Sequence, residues 1–356
     1  MGPPSLRFDV LTGRQVIVAP HRSQRPRAQL VEPALHHPPA GNPFQAGEEA
    51  QTRDETLALR KSGSRPNDPG WLVRVVPNEY PAVSNDAAPT GLAPESMLSS
   101  QIVCGVHEVV IESPDDRHRL TQLSAAEIAR MLTAWQRRLR QLERVSSVEA
   151  VTIFRNEGFS GGASLPHVHS QILAMNVVPR QTQDRLEKNR AWRLRHESDL
   201  LQELCRAEIH DGQRVLLATD CLLVVCPFAG RVAWQVRFVP LWSEPMSFSK
   251  ISVDDLLTIA GCLWSAAVAV EDCIGPVSFN VNLVHPPVAS IEHGWFMELL
   301  PRTARMAGFE LATDVDVVDV SPETSAAELR DRFELTVPQR DEMEPSGYVW
   351  EPEEAS

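Results

Sequence analysis

Short runs of alternating apolar and polar residues open this chain, and longer stretches with helical spacing follow them. SLRFDVLTGRQVIVAP at 5–20 predicts two short strands around the Thr12-Gly13 turn, followed by a basic segment with His21, Arg22, Arg25 and Arg27. Residues 32–70 are rich in Pro, Gly and charge and predict a long connection. Strands are expected at 71–77 and 108–112, with the loop Asn78-Glu79-Tyr80-Pro81 after the first. From 124 to 142 a capping box, Ser124 with Glu127, precedes Ile128, Met131, Leu132, Trp135, Leu139 and Leu142 on one helical face. Strands at 150–154 and 165–174 flank the loop RNEGFSGGAS, and a charged helix is expected over 182–207. The second half repeats this order: strands at 222–226 and 234–239, a helix opened by the Ser252/Asp255 box and running through Val270, and strands at 277–284 and 295–300. A weak two-fold repeat follows, each half an α+β unit with helices on an antiparallel sheet. The units are placed at 1–207 and 208–335, with a short helix SAAELRDRF after Pro322 and an acidic, mobile tail over 336–356.

Composition narrows the function. With 356 residues and 43% apolar side chains the chain can bury a large core. No basic start with an apolar run opens it, and no run of some 18 uninterrupted apolar residues follows, so a soluble, cytoplasmic protein without membrane contact is expected. Cys104, Cys205, Cys221, Cys226, Cys262 and Cys273 form no C-x-x-C pair, which fits reduced, buried thiols. A formal charge of -13 opposes general nucleic-acid binding but leaves room for a phosphorylated small molecule in a locally positive pocket.

The chemistry concentrates in Asn156-Glu-Gly-Phe-Ser-Gly-Gly-Ala-Ser164-Leu-Pro-His167-Val-His169-Ser-Gln171. On a strand, His167, His169 and Gln171 share one face while Val168, Ser170 and Ile172 take the other. Gly161 and Gly162 permit conformations closed to other residues, and their amides beside Ser164 suggest an anion-binding nest, so phosphate is the expected ligand. A neutral imidazole, with a reference pKa of about 6.5, attacks phosphorus without a base to deprotonate it. A sugar phosphate leaves as a stabilised anion and needs no strong general acid. Gln171 can donate its amide to a non-bridging oxygen as charge builds.

At these residues the sequence resembles the galactose-1-phosphate uridylyltransferase family of the histidine-triad superfamily, including its ADP-glucose phosphorylase-like subgroup. The resemblance spans Leu6 to about Arg330 and rests on RFDVLTGRQVIVAPHRSQRP, VVPNEYPAV at 75–83, HEVVIESPDD at 107–116, RNEGFSGGASLPHVHSQI, and ELLPRTARMAGFEL at 298–311. It implies two fused histidine-triad-like units, with His169 as the nucleotidylated residue, His167 as the first His of the motif, and Gln171 as a transferase mark. It places Ser164, Gly162 and Asn156 at phosphate or sugar, Arg22, Asn78, Glu79 and Tyr80 at the nucleotide, and Phe309 with Glu310 at the hexose. The implied activity is a ping-pong transfer of the UDP-glucose:hexose-1-phosphate uridylyltransferase type. The alternatives are adenylyl transfer from ADP-glucose to phosphate, a hydrolase, which Gln171 opposes, and a non-catalytic nucleotide-binding protein. Relatives imply a homodimer.

Departures from the family pattern affect metals. Asn42 and Gln45 stand where the family's structural zinc takes thiolates, and Asp116 stands at the third ligand position, with His118 nearby. Amides are poor zinc ligands, so that site is expected to be lost, leaving His167 to orient the loop. His285, His293 and Glu298 are remnants of a second metal position, with Phe296 at another ligand place, and no cofactor is expected there. Val168 replaces the usual Pro within the motif.

Overall fold

The computed structural model of the chain describes residues 3–24, 33–84, 97–98, 100–242, 246–290 and 294–352. Arg25 and Arg27 of the basic segment, His293 and the last four residues lie outside them.

The sequence repeat becomes one continuous sheet. Strands β3 (Leu57–Lys61), β4 (Trp71–Pro77), β5 (Gly105–Ile111), β6 (Ala150–Glu157) and β7 (His169–Met175) form its first half. Strands β8 (Val215–Ala218), β9 (Leu222–Val225), β10 (Val236–Pro240), β11 (Phe279–Val284) and β12 (Phe296–Pro301) form its second. Read from outer edge to centre, the orders are β3-β4-β5-β7-β6 and β8-β9-β10-β12-β11, so the two halves have the same topology. They meet where β6 and β11 pair antiparallel, Phe154 opposite Asn282 and Asn156 opposite Asn280. Every ladder of this sheet is antiparallel.

Each half carries one long helix at the same point of its topology, α1 (Ala125–Leu142) before β6 and α4 (Val253–Ile274) before β11. Helix α1 starts as its sequence dictates: Ser124 accepts from the Glu127 amide and Glu127 reaches back to the Ser124 amide. Such a cap contributes about 1 kcal/mol. The face carrying Ile128, Met131, Leu132, Trp135, Leu139 and Leu142 is buried in the main core, which also takes Val168 and Ile172. Helix α4 is apolar and long enough to cross a bilayer by composition, but its buried side belongs to the same core.

On the opposite face the halves differ. Helices α2 (Arg180–His196) and α3 (Leu200–Asp211) replace the single helix expected over 182–207. Glu197 in left-handed conformation ends the first, and Asp199 caps the second through the Leu201 and Gln202 amides. Leu200, Leu201 and Cys205 of α3 close over Leu223, Val225, Val239 and Phe296 of the second half. Three shorter helices, α5 (Gly308–Thr313), α6 (Pro322–Arg330) and α7 (Arg340–Met343), complete the set among the described residues.

Two expectations are corrected at the edges. The long connection over 32–70 contains β3, whose Leu57, Ala58 and Leu59 are buried despite the polar residues around them. The segment from 336, expected to be a mobile tail, returns to the first half: Met343 is buried in the main core, and β14 (Tyr348–Glu351) pairs with β3. Strands β1 (Ser5–Phe8) and β2 (Gln15–Val18) form a separate small sheet with β13 (Val315–Val318), parallel to β2.

Candidate active site

The pleat of β7 sorts the motif as its spacing predicts. Val168 and Ile172 enter the core on the α1 side, and Ser170 Oγ accepts a 2.8 Å hydrogen bond from Trp135 Nε1. His169 and Gln171 face the other way, into a cavity of ≈ 470 Å³ lined also by Phe44, Arg53, Val76, Asn78, Glu79, Tyr80, Val109 and Ser164. Helix α3 covers this face only in the second half, so the first half keeps it open.

His169 is buried and its tautomer is set by the backbone. Its Nδ1 lies 2.7 Å from the His167 carbonyl, an acceptor only, so Nδ1 carries the proton and Nε2 keeps its lone pair. Burial pushes this imidazole down to about 4; the bond to the His167 carbonyl opposes that shift and the charge of Arg155 adds to it. The ring is neutral at pH 7, as a nucleophile requires. Phe44 stacks obliquely on it at 5.3 Å.

His167 shares the face but not the cavity. Its Nε2–H donates to the Ser113 carbonyl at 2.9 Å, which makes Nδ1 an acceptor for the Asn42 amide at 2.8 Å. The second Asn42 N–H donates to Asp116 at 2.9 Å, while its oxygen accepts from the Phe44 amide. Asn42, standing where the family has a thiolate, thus uses both side-chain donors and its side-chain oxygen to fix His167, Asp116 and the segment that carries Phe44. Strand β7 begins only at His169, because residues 165–168 are strapped to the loop after β5: Val168 N donates to Arg117 O, and Glu112 N to Val168 O.

Sequence reasoning missed His107. The Ala82 amide donates to its Nδ1 at 3.0 Å, so Nε2 carries the proton and donates to Gln171 Oε1 at 2.8 Å. This bond orients the Gln171 amide so that its N–H groups stay available to a ligand. The signal was present in the period of β5, since His107 lies two residues before Val109, the neighbour of Gln171 across the ladder.

The glycine loop is held differently from the expected nest. The Gly162 and Ala163 amides are already committed to the Phe159 and Gly158 carbonyls and are not free for an anion. Gly161 is required for space, since a Cβ there would lie 2.1 Å from the Glu157 carbonyl. Gly162, at φ +85°, is required for conformation. Asn156 does not line the cavity; Asn280 of the second half donates to its Oδ1 at 2.8 Å and to the Gly161 carbonyl at 2.7 Å. Arg302 in turn donates to Asn280 at 2.6 Å. Neither Asn280 nor Arg302 was singled out in the sequence.

Of the remaining expected contacts, Asn78, Glu79 and Tyr80 reach the cavity mouth, Glu79 paired with Arg53 at 3.0 Å. Arg22 sits exposed on a short 3-10 turn, and Phe309 and Glu310 on α5; none of the three lines the cavity. Beneath the site, Arg155 joins Glu112 at 3.0 Å and Glu157 at 2.6 Å, all three buried. Burial raises both carboxyls against the pull of that guanidinium.

The corresponding place in the second half carries Phe296 and Glu298. Glu298 accepts from Gln235 and Arg237, each at 2.8 Å. His285 lies within hydrogen-bond distance of Ser247 Oγ and the Pro286 carbonyl.

Comparison with known proteins agrees with this arrangement. Residues 3–179 match the family described as galactose-1-phosphate uridyl transferase, N-terminal domain. ADP-glucose phosphorylase of Arabidopsis thaliana is 28% identical over 336 residues, covering 92% of this chain and 93% of its own. Galactose-1-phosphate uridylyltransferase of Haemophilus influenzae is 27% identical over 241 residues, 67% of this chain and 65% of its own. The crystal structure of the Arabidopsis phosphorylase with bound ADP-glucose superposes with a TM-score of 0.76 at 25% identity, over 92% of this chain and 99% of that one. With the His167-Val168-His169 motif intact on a doubled antiparallel sheet, the chain is an enzyme of the galactose-1-phosphate uridylyltransferase family, a nucleotidyltransferase.

Proposed function

We propose that His169 is the covalent nucleophile of a two-step nucleotidyl transfer. Nε2 attacks the α-phosphorus of a nucleotide sugar, an N–P bond forms, and the bond from that phosphorus to the bridging oxygen breaks, so that hexose 1-phosphate leaves with the electron pair. An oxygen of the acceptor phosphate then attacks the same phosphorus and the N–P bond breaks, returning the neutral imidazole. The observation that carries this reading is the bare Nε2 of a buried, neutral His169 facing a cavity beside the oriented Gln171 amide.

ADP-glucose as donor with inorganic phosphate as acceptor is favoured by the near full-length likeness to the Arabidopsis phosphorylase. UDP-glucose with a hexose 1-phosphate acceptor is the second reading, favoured by the uridylyltransferases among the relatives. Intact-protein mass spectrometry after brief mixing with either donor separates them. An acid-labile AMP adduct, absent from His169→Ala, supports the phosphorylase reading and a UMP adduct supports the transferase; an unmodified mass with both would sink covalent catalysis on these donors.

A cytoplasmic homodimer belongs to the same proposal. Leu6, Phe8, Phe309 and Leu311 offer exposed apolar surface around the small sheet, beside the Phe309-Glu310 pair expected at the hexose. A solution mass of a single 39.6 kDa chain would exclude the dimer.

A further inference from the structure

Outside the cavity, on the far side of His167, two imidazoles converge on one carboxylate. His37 Nε2 lies 3.1 Å from Asp116 Oδ1 and 3.3 Å from its Oδ2. His118 Nε2 lies 3.1 Å from the same Oδ1. One nitrogen from each ring and one carboxylate oxygen all fall within 4.8 Å of one another. His37 Nδ1 is buried with no hydrogen-bond partner, so the ring is held by what its Nε2 meets. The rings pack edge to face at 5.6 Å, an arrangement that leaves both Nε2 atoms turned to the carboxylate.

We propose that His37, Asp116 and His118 bind a divalent transition metal, zinc first among them. Two imidazoles and a carboxylate form a borderline donor set that suits zinc. With metal–ligand distances near 2.0–2.1 Å, the edge of a zinc tetrahedron is roughly 3.3 Å. The 3.1 Å nitrogen–oxygen separations are therefore close to a ligand spacing already in place. Asp116 and His118 are partly exposed, so the fourth position opens to water.

This set shares Asp116 with the family's zinc position, and His167 Nδ1 lies 3.6 Å from the same oxygen, but His37 and His118 take the place of the thiolates and of His167. None of the cysteines belongs to it. Both nitrogens of His167 are committed elsewhere, to Asn42 and Ser113. Its position gives the ion a task. Residues 33–48 include no regular helix or strand, yet they carry Asn42, which fixes His167, and Phe44, which packs on His169. A cation shared by His37 and the 116–118 loop would cross-link this segment to the core beside the nucleophile.

The test uses the full chain without a histidine tag, stripped with a chelator. Calorimetric titration with ZnCl2 is expected to show one equivalent bound at submicromolar Kd and a rise in Tm. The double variant His37→Ala/His118→Ala should keep the metal-free Tm and bind at least 100-fold more weakly. Cobalt(II) should bind with ligand-field bands and no thiolate charge-transfer band. Failure to take up one equivalent, uptake unchanged in the double variant, or a thiolate band would each overturn the proposal. If the double variant misfolds, Asp116→Asn and His118→Ala alone serve, with the same expected loss and the same overturning result.

Discussion

At His169 one hydrogen bond decides which nitrogen reacts, and at Gln171 one decides which end of the amide faces the ligand. The second can be tested apart from the nucleophile. His107→Ala leaves His169 in place but frees Gln171 to rotate, so kcat is expected to fall by about 10- to 100-fold with a smaller change in KM, somewhat less than for outright loss of a donor to a developing oxyanion. A lowered Tm with unchanged kcat would reduce His107 to a structural role. The pair His169 and Gln171 was legible because the period of a strand places alternate residues on one face. His107 and Phe44 were not, because they lie 64 and 125 positions away from the residues they touch, and only the pairing of β5 with β7 and the path of the loop before β3 bring them together. Asn42 was legible as a departure from the family, while its hydrogen bonds to His167 and Asp116 were not.

Elements with strong periodicity were read well, and their neighbours less so. Helix α1 announced itself through its capping box and apolar stripe. Strand β3 did not, because its short apolar run is followed by Arg60 and Lys61 and lies in a polar stretch; Arg60 is buried by pairing with Glu55 and donating to Ser64 and the Arg65 and Asp68 carbonyls. Strand β14 was hidden by acidic residues that remain at the surface while Trp350 packs inward and donates to Glu344 at 2.8 Å. Trp350→Ala should therefore cost about 3 kcal/mol, as for other buried large aromatics. Urea unfolding measures this; a shift below a few tenths of a kcal/mol would mean that the end of the chain does not dock in solution.

Over the whole molecule, buried histidines tie stability to pH. Burial lowers His167, His169 and His285 each to about 4. The unfolded chain, with imidazoles near 6.5, therefore binds more protons than the native chain between those values. Stability is complete above pH 6.5 and declines as pH falls toward 4, by up to about 1.4 kcal/mol per pH unit for each histidine. Chemical unfolding at pH 7 and pH 5 should show this loss, and replacing His285 by Gln should shrink it. Equal stability at both values would mean that these rings already take up protons in the native state.

The ladder between β6 and β11 also determines what a half of this molecule would become. A fragment ending near residue 207 would keep His169 but expose the backbone donors and acceptors of eight-residue β6, a template for strand addition. Asn156 would lose the amide of Asn280 as well. A second fragment can fill the vacancy by pairing β6 with β6 about a two-fold axis, since both halves share one strand order. That assembly would carry two copies of His169 in the framework where the intact chain holds one, turning an internal repeat back into a symmetric pair.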